Sequence, residues 1–133
     1  IFKGGFTMKT IMLLEENTNQ ALNYIREFRR EGYHILLATN GTEALLQMRE
    51  QIPDIIIMGR TFFFMDWKED MRSLLVTFRE IPLIINTEYD CQREKFRNWV
   101  PDACVVKSAD LSELKSKAKE LLNKHDMCLR QVS

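Results

Sequence analysis

Five short runs of consecutive apolar residues recur along the chain, and they constrain its fold more than any other feature. The runs are TIMLLE (10–15), HILLAT (34–39), DIIIMG (54–59), PLIINT (82–87) and ACVVKS (103–108). Apolar residues at consecutive rather than alternate positions are typical of strands that are covered on both faces, as in a parallel sheet. Segments of helical periodicity separate the runs. The chain therefore predicts an α/β fold, a five-stranded parallel sheet with alternating helices on both faces.

The five intervening or following segments each show an apolar stripe at helical spacing. The stripes comprise Ala21, Leu22, Ile25 and Phe28; Ala44, Leu45 and Met48; Met71, Leu74, Leu75 and Phe78; Phe96 and Trp99; and Leu111, Leu114, Ala118, Leu121 and Leu122. The fourth segment, residues 91–99, has the weakest pattern. With 133 residues the chain suffices for one domain with its own core. We place that domain at 9–125, with 1–8 as a tag or upstream remnant and 126–133 as a tail or the start of a linker.

The composition argues against nucleic acid and membrane as direct partners. Nineteen basic and nineteen acidic side chains cancel, so no net field attracts a polyanion. No apolar run approaches the length of a membrane span. Cys91, Cys104 and Cys128 show neither metal-site nor redox-pair spacing, which favours reduced thiols in a cytoplasmic protein.

Polar residues follow several of the predicted strands, at the edge where parallel α/β sheets carry their sites. The first strand ends in Glu15–Glu16, the third in Gly59, the fourth in Thr87 and the fifth in Lys107. Carboxylates suit hard cations, whereas a lysine and a hydroxyl suit phosphate oxygens. The pattern indicates a pocket for a cation and a phosphoryl group.

These motifs resemble the receiver domains of two-component response regulators, over residues 9 to about 124. IMLLEEN is similar to the first strand with its acidic pair, and EGYHILLATNGTEALLQMREQIPDIII to the stretch that leads to the phosphorylation site. MDW, PLIINTE and VVKSADLSEL resemble the loop, the strand with the switch hydroxyl and the strand with the lysine. The resemblance implies a (βα)5 flavodoxin-like receiver fold.

The sequence departs from that family at the positions that carry its chemistry. Counting from Pro53–Asp54, the phosphoacceptor aspartate falls on Gly59, and Glu15–Glu16 stand where aspartates are usual. Glu88 replaces a small residue after the switch hydroxyl, and Ser108 replaces a proline.

A glycine cannot form an acyl phosphate, because it has no carboxylate to act as nucleophile. Asp54 is no substitute, since five residues of strand place it roughly 16 Å away. A carboxylate at Glu88 repels a phosphoryl group. We expect a degenerate pocket of Glu15, Glu16, Arg60, Thr87, Glu88 and Lys107, with no catalytic residue and with Mg²⁺ bound weakly at Glu15 and Glu16 or not at all.

The acidic pair needs positive charges to balance it, and two basic residues lie at the same predicted edge. Our hypothesis is that Lys107 pairs with Glu15 or Glu16 and that Arg60 covers part of the emptied pocket. Thr87 either keeps a switch role or satisfies a backbone group of the following loop, and the second reading is favoured.

Two groups of aromatic residues are candidates for a surface that binds a partner. Phe62, Phe63 and Phe64 lie in a predicted loop, where they either form an exposed patch or fill the space vacated at Gly59. Phe96 and Trp99 lie on the weak fourth helix, in a region that mediates dimerisation or output docking in the resembling family.

The leading functional hypothesis is an atypical receiver domain, not an enzyme, that signals by phosphorylation-independent contact with a protein partner or output domain, or as a homodimer. One alternative is a receiver phosphorylated at a displaced acidic residue. Another is a regulatory domain that binds a small anion or metabolite on Lys107 and Thr87.

Overall fold

Strands and helices alternate through the part of the chain that the structure, a computed structural model, describes: residues 8–64, 80–93 and 100–132. The strands are β1 (Thr10–Leu14), β2 (His34–Ala38), β3 (Ile55–Gly59), β4 (Leu83–Thr87) and β5 (Ala103–Val106). The α-helices are α1 (Thr18–Arg30), α2 (Gly41–Glu50), α3 (Arg60–Phe64) and α4 (Ser112–Val132), and a 3-10 turn spans Cys91–Arg93.

The five strands form one parallel sheet in the order β2-β1-β3-β4-β5, which confirms the predicted fold class. The chain passes from β1 outward to β2 and then returns to β3 on the other side of β1. This reversal makes the gap between the carboxyl ends of β1 and β3 the switch point, where sites of such sheets lie. Leu14 pairs with Met58, so Glu15 and Gly59 follow side by side.

Alternate residues of β1 to β4 enter two separate hydrophobic cores, one on each face of the sheet, whereas β5 contributes to one of them. The face covered by α1 and α4 comprises Ile11, Leu13, Ala21, Tyr24, Phe28, Ile35, Ile55, Ile57, Ile84, Val105, Leu111, Leu114, Ala118 and Leu122. The opposite face comprises Met12, Leu14, Ala38, Ala44, Met48, Ile56, Met58, Phe62, Leu83 and Ile85. Burial on both faces is why the strand sequences are apolar on consecutive positions.

The predicted stripe of α1 needs one correction. Leu22 is 58% exposed, and Tyr24 takes a buried place instead. The inward stripe runs through Ala21, Tyr24 and Phe28, at the three- and four-residue spacing of a helix face, and Leu22 lies about 100° away from Ala21. Tyr24 was missed because its hydroxyl needs a buried partner, which the sequence does not reveal.

Two Pro–Asp pairs, Pro53–Asp54 and Pro101–Asp102, lie at the edge of the sheet where the strands begin. Asp54 Oδ2 accepts a hydrogen bond from the backbone N–H of Thr10 at 2.7 Å, and Asp102 Oδ2 accepts one from Leu83 at 2.7 Å. Each aspartate precedes its own strand and satisfies the first N–H of a neighbouring strand. Asp54 therefore lies at the edge opposite the candidate site, as predicted.

The C-terminal helix extends beyond the predicted domain limit. The boundary placed after residue 125 falls inside α4, where Asp126 pairs with Lys9 at 2.9 Å. None of the helices described is both long and apolar enough to cross a membrane.

The prediction of three reduced thiols is wrong for two of them. Cys91 and Cys104 form a disulfide, whereas Cys128 is a free, exposed thiol. A spacing of 13 residues is not a recognisable motif. The pair is brought together only because β5 lies beside β4. The third predicted helix, through residues 71–78, and residues 94–99 of the fourth lie outside the described residues.

Candidate functional site

A small polar cavity opens at the carboxyl ends of the strands, at the switch point. Its volume is about 100 Å³, and its lining includes Glu15, Glu16, Gly59, Arg60, Glu88 and Lys107. Five of the six residues of the predicted degenerate pocket therefore meet around Gly59. Thr87, the sixth, does not line this cavity.

Lys107 is the centre of the polar network. Its ammonium donates to Glu15 Oε1 at 2.9 Å and to Gln20 Oε1 at 2.8 Å, and it pairs with Glu88 Oε1 at 2.9 Å. Three acceptors match the three hydrogens of an ammonium group. The side chains of Lys107 and Glu15 are only 12% and 4% exposed, whereas that of Glu88 is 57% exposed.

The hypothesis that Lys107 pairs with Glu15 or Glu16 is confirmed, with Glu15 as the partner, but the role expected for Glu88 was incomplete. Glu88 is a partner of Lys107 as well as a negative charge near the pocket. The strand register accounts for this contact: Thr87 pairs with Val106, so the residues that follow them, Glu88 and Lys107, face each other. The contribution of Gln20, from α1, depends on how that helix packs and has no sequence signal.

The ion network shifts the pKa values of Lys107 and Glu88 in opposite directions. Burial by itself lowers the pKa of Lys107, but its hydrogen bonds with Glu88 and Glu15 outweigh that effect and raise it above the ordinary value. The hydrogen bond from Lys107 lowers the pKa of Glu88. Both shifts favour the charged forms of Lys107 and Glu88.

Glu15 occupies the space beside the missing side chain at position 59. A Cβ added to Gly59 would lie 3.3 Å from Glu15 Oε1 and 3.4 Å from the carbonyl oxygen of Leu14. The other carboxylate oxygen of Glu15 accepts the backbone N–H of Asn17 at 3.0 Å. Both oxygens of this buried carboxylate are therefore engaged by the protein itself.

Glu16, Arg60 and Thr87 have different surroundings from one another. Glu16 is exposed at the rim, so the acidic pair is split between interior and solvent. The Arg60 guanidinium lies 4.8 Å from the ring centroid of Tyr89, within range of a cation–π contact, and it lines the cavity as expected. Thr87 is fully buried, and its hydroxyl accepts the N–H of Tyr89 at 3.1 Å. This contact confirms the prediction that Thr87 satisfies a backbone group of the following loop.

Phe62 does not belong to an exposed surface. Residues 60–64 form α3 rather than the predicted loop, and Phe62 is 3% exposed in the core beside α2. Phe62 lines the cavity together with Gly59, although the atoms nearest to a Cβ added at Gly59 belong to Glu15 and Leu14. The side chains of Phe63 and Phe64, and both Phe96 and Trp99, lie outside the described part of the chain.

The donor set around the cavity does not fit Mg²⁺, the ion that a receiver fold implies. Both oxygens of Glu15 already accept hydrogen bonds, Glu88 faces Lys107, and position 59 offers no side-chain oxygen. Mg²⁺ requires nearly ideal octahedral oxygen coordination. Within residues 8–64, 80–93 and 100–132, no group of three or more His, Cys, Asp or Glu side chains is arranged to hold a metal ion.

A buried polar pair beneath the cavity was missed by the sequence analysis. The side-chain amide of Asn86, which is next to Gly59 in the sheet, donates to the hydroxyl of Tyr24 at 3.0 Å. Burial raises the pKa of Tyr24, although the bond from Asn86 opposes the shift. The signal was a single polar residue inside the apolar run PLIINT.

Comparisons with known proteins agree with the fold. No profile of a protein family matches the chain. The transcriptional regulatory protein ZraR of Klebsiella oxytoca is 25% identical over 115 residues, which cover 84% of this chain and 26% of ZraR. The chain thus spans about a quarter of the length of this curated relative.

Several solved structures superpose over most of the chain. The response regulator TrrA of Thermotoga maritima, in complex with Mg(2+)-BeF, is 28% identical with a TM-score of 0.69, and 86% of this chain and 99% of that one are covered. The complex of the histidine kinase ThkA with TrrA contains a chain that is 30% identical, with a TM-score of 0.72 and the same coverage. A CheY-like receiver domain protein of Methanospirillum hungatei JF-1 shares the fold at 20% identity, a TM-score of 0.76 and coverage of 91% and 98%.

Proposed function

Because the chain belongs to the receiver-domain family of two-component response regulators, we propose that it is an atypical receiver that signals by protein–protein contact without being phosphorylated. In this proposal it is not an enzyme and requires no Mg²⁺. The observation that carries the proposal is Gly59 at the carboxyl end of β3, where the family has its phosphoacceptor. Acyl phosphate formation needs a carboxylate at that point.

The surroundings of Gly59 support the same proposal. The Lys107 ammonium is saturated by Glu15, Gln20 and Glu88, so none of its hydrogens is left for a phosphoryl oxygen. Glu15 is engaged through both of its oxygens. A phosphoryl group would therefore have to break an existing buried ion pair before it could bind, at a cost of several kcal/mol.

The two alternative functions have less support. The carboxylates of Glu15, Glu16 and Glu88 outnumber the cations Arg60 and Lys107 around the cavity, which disfavours a small anion. A cavity of about 100 Å³ is also well below the roughly 300–1,000 Å³ of small-molecule pockets. For a displaced phosphoacceptor, the remaining candidate on the lining is the exposed Glu16.

The partner that we propose is a protein. A similar regulator, TrrA, is known in complex with the histidine kinase ThkA, and a kinase-like protein, an output domain or a second copy of this chain would each suit a receiver surface. Since ZraR, a transcriptional regulatory protein, is about four times as long as the matched region, the output would lie in other domains, and this domain would not contact nucleic acid directly.

A phosphodonor experiment tests the proposal directly. The protein is incubated with acetyl phosphate and MgCl₂, and its intact mass is followed; TrrA serves as the positive control. We expect no mass increase of one phosphoryl group. A stable increase that disappears in Glu16→Gln would establish the displaced-acceptor alternative, and any other phosphorylated carboxylate would equally refute the proposal.

Sedimentation over a range of protein concentrations tests the mode of signalling. The measurement is made with and without Mg²⁺ and beryllofluoride. We expect the same association state in both conditions. Association that requires beryllofluoride would contradict the proposal, because it would show a pocket that still responds to a phosphoryl mimic.

A further inference from the structure

The segment that follows β4 is attached to β5 by two links of different chemistry. The first is ionic, between Glu88 and Lys107 at 2.9 Å. The second is covalent, the disulfide between Cys91, at the start of the 3-10 turn, and Cys104, the second residue of β5. Their Cα atoms are 5.9 Å apart, within the usual range for a disulfide.

The surroundings of the two sulfur atoms allow exchange with small thiols. Cys91 and Cys104 are both half-buried rather than enclosed in the core. β5 is the edge strand of the sheet, with β4 on one side only. Because neither cysteine is fully buried, a low-molecular-mass thiol can reach the pair, whereas a disulfide inside either hydrophobic core would be protected.

The covalent link bears on the candidate site because of what it holds nearby. Residues 88–91 contain Glu88, which pairs with Lys107, and Tyr89, which carries the guanidinium of Arg60 over its ring. With the disulfide closed, this segment is fixed to β5 at Cys91 as well as at Glu88. Without the disulfide, noncovalent contacts, among them the ionic link and the N–H bond from Tyr89 to Thr87, would hold this segment, so it could open locally.

We propose that Cys91 and Cys104 form a reversible thiol–disulfide site, and that its redox state sets the mobility of residues 88–93 beside the cavity. The co-reactant is a low-molecular-mass thiol of the glutathione class. This inference goes beyond the proposed function and is independent of whether any residue is phosphorylated.

The reaction balances with two equivalents of thiol. A thiolate attacks one sulfur of the disulfide, the S–S bond breaks, and a mixed disulfide forms while the other cysteine leaves as a thiolate and takes up a proton. A second thiolate then attacks the sulfur of the bound thiol, which releases the small-molecule disulfide and the second cysteine. The protein gains two electrons and two protons, and the two small thiols lose them.

The test uses the Cys128→Ser variant, so that maleimide labelling counts the pair alone. In buffer with oxidised glutathione we expect no label, and after excess reduced glutathione two labels. Hydrogen exchange is then measured in both states. Amides in residues 88–93 should exchange roughly tenfold or more faster after reduction, as a locally opened segment does, while the amides of β1 stay unchanged as the folding control.

A second variant, Cys91→Ser in the same background, gives the reduced behaviour without a redox reagent. Its residues 88–93 should exchange fast in both buffers, with β1 still protected. Two reactive thiols in oxidised glutathione would refute the proposal. So would equal exchange rates of residues 88–93 before and after reduction, or global loss of protection on reduction, because the disulfide would then be absent, without effect, or purely a stabiliser of the whole fold.

Discussion

Replacing Lys107 with methionine isolates the contribution of the ion network, because methionine keeps most of the aliphatic volume and removes the charge. The variant leaves the buried Glu15 carboxylate without its cation and Glu88 without its partner. Removing one member of a buried ion pair costs about 3–5 kcal/mol. Lys107 retains 12% exposure and the cavity is open to solvent, so we expect a smaller loss, about 2–4 kcal/mol of unfolding free energy.

The assay is reversible thermal and urea unfolding at pH 7 in low salt. For a chain of this length each kcal/mol corresponds to roughly 3–5 °C, so the melting temperature should fall by about 10 °C. Lys115→Met is the matched control: Lys115 pairs with Glu27 at 3.0 Å, but both side chains are 24% exposed. A pair of that kind contributes at most about 1 kcal/mol.

A double variant separates the charge effect from loss of packing. Lys107→Met with Glu15→Gln leaves no unpaired buried charge, so it should be more stable than Lys107→Met alone by about 1 kcal/mol or more. The reasoning is refuted if Lys107→Met melts within the range of Lys115→Met, or if the second substitution only adds to the loss.

Three further perturbations test the same region. Glu88→Gln should lower the free energy of unfolding slightly, by about 0.5 kcal/mol or less, because Glu88 is exposed. The pKa of Glu88 is lowered in the folded protein, so the difference from wild type should persist from pH 7 to near pH 5 and vanish as the pH falls through that pKa. Melting curves over this pH range measure the difference. Gly59→Asp should cost about 1–3 kcal/mol more than Gly59→Ala, because it sets a second carboxylate beside Glu15, and equal melting temperatures would contradict this. Asn86→Leu should cost about 1–3 kcal/mol by stranding the buried hydroxyl of Tyr24, and Tyr24→Phe should recover much of that loss in chemical denaturation.

The regular part of the fold was determined by local sequence. Runs such as IIIMG in β3 are apolar at every position because both faces are covered, and this property can be read without coordinates. The helix starts are also set by local contacts, because Asn17 accepts the N–H of Gln20 and Asp110 accepts that of Ser112, in each case within one turn. Gly32, at φ +92°, likewise ends α1 through its own backbone freedom.

The candidate site was predictable as far as strand ends could be counted. Parallel strands deliver their carboxyl ends to one edge, so Glu15, Gly59 and Lys107 had to meet there. That Lys107 pairs with one of the two glutamates followed from charge alone. Which of the two adjacent glutamates turned inward did not follow, because it depends on the direction in which the chain leaves β1.

Only the tertiary structure decided the contacts between residues far apart in sequence. The disulfide of Cys91 and Cys104, the bond from Asn86 to Tyr24 and the approach of Gln20 to Lys107 all join different elements. Local pattern carries no information on which helix face meets which strand, because that choice is made by the packing of the whole domain. The sequence by itself thus determined the order of elements and the glycine at the end of β3, whereas packing determined that the Glu15 carboxylate lies beside Gly59, where an added Cβ would approach it to 3.3 Å.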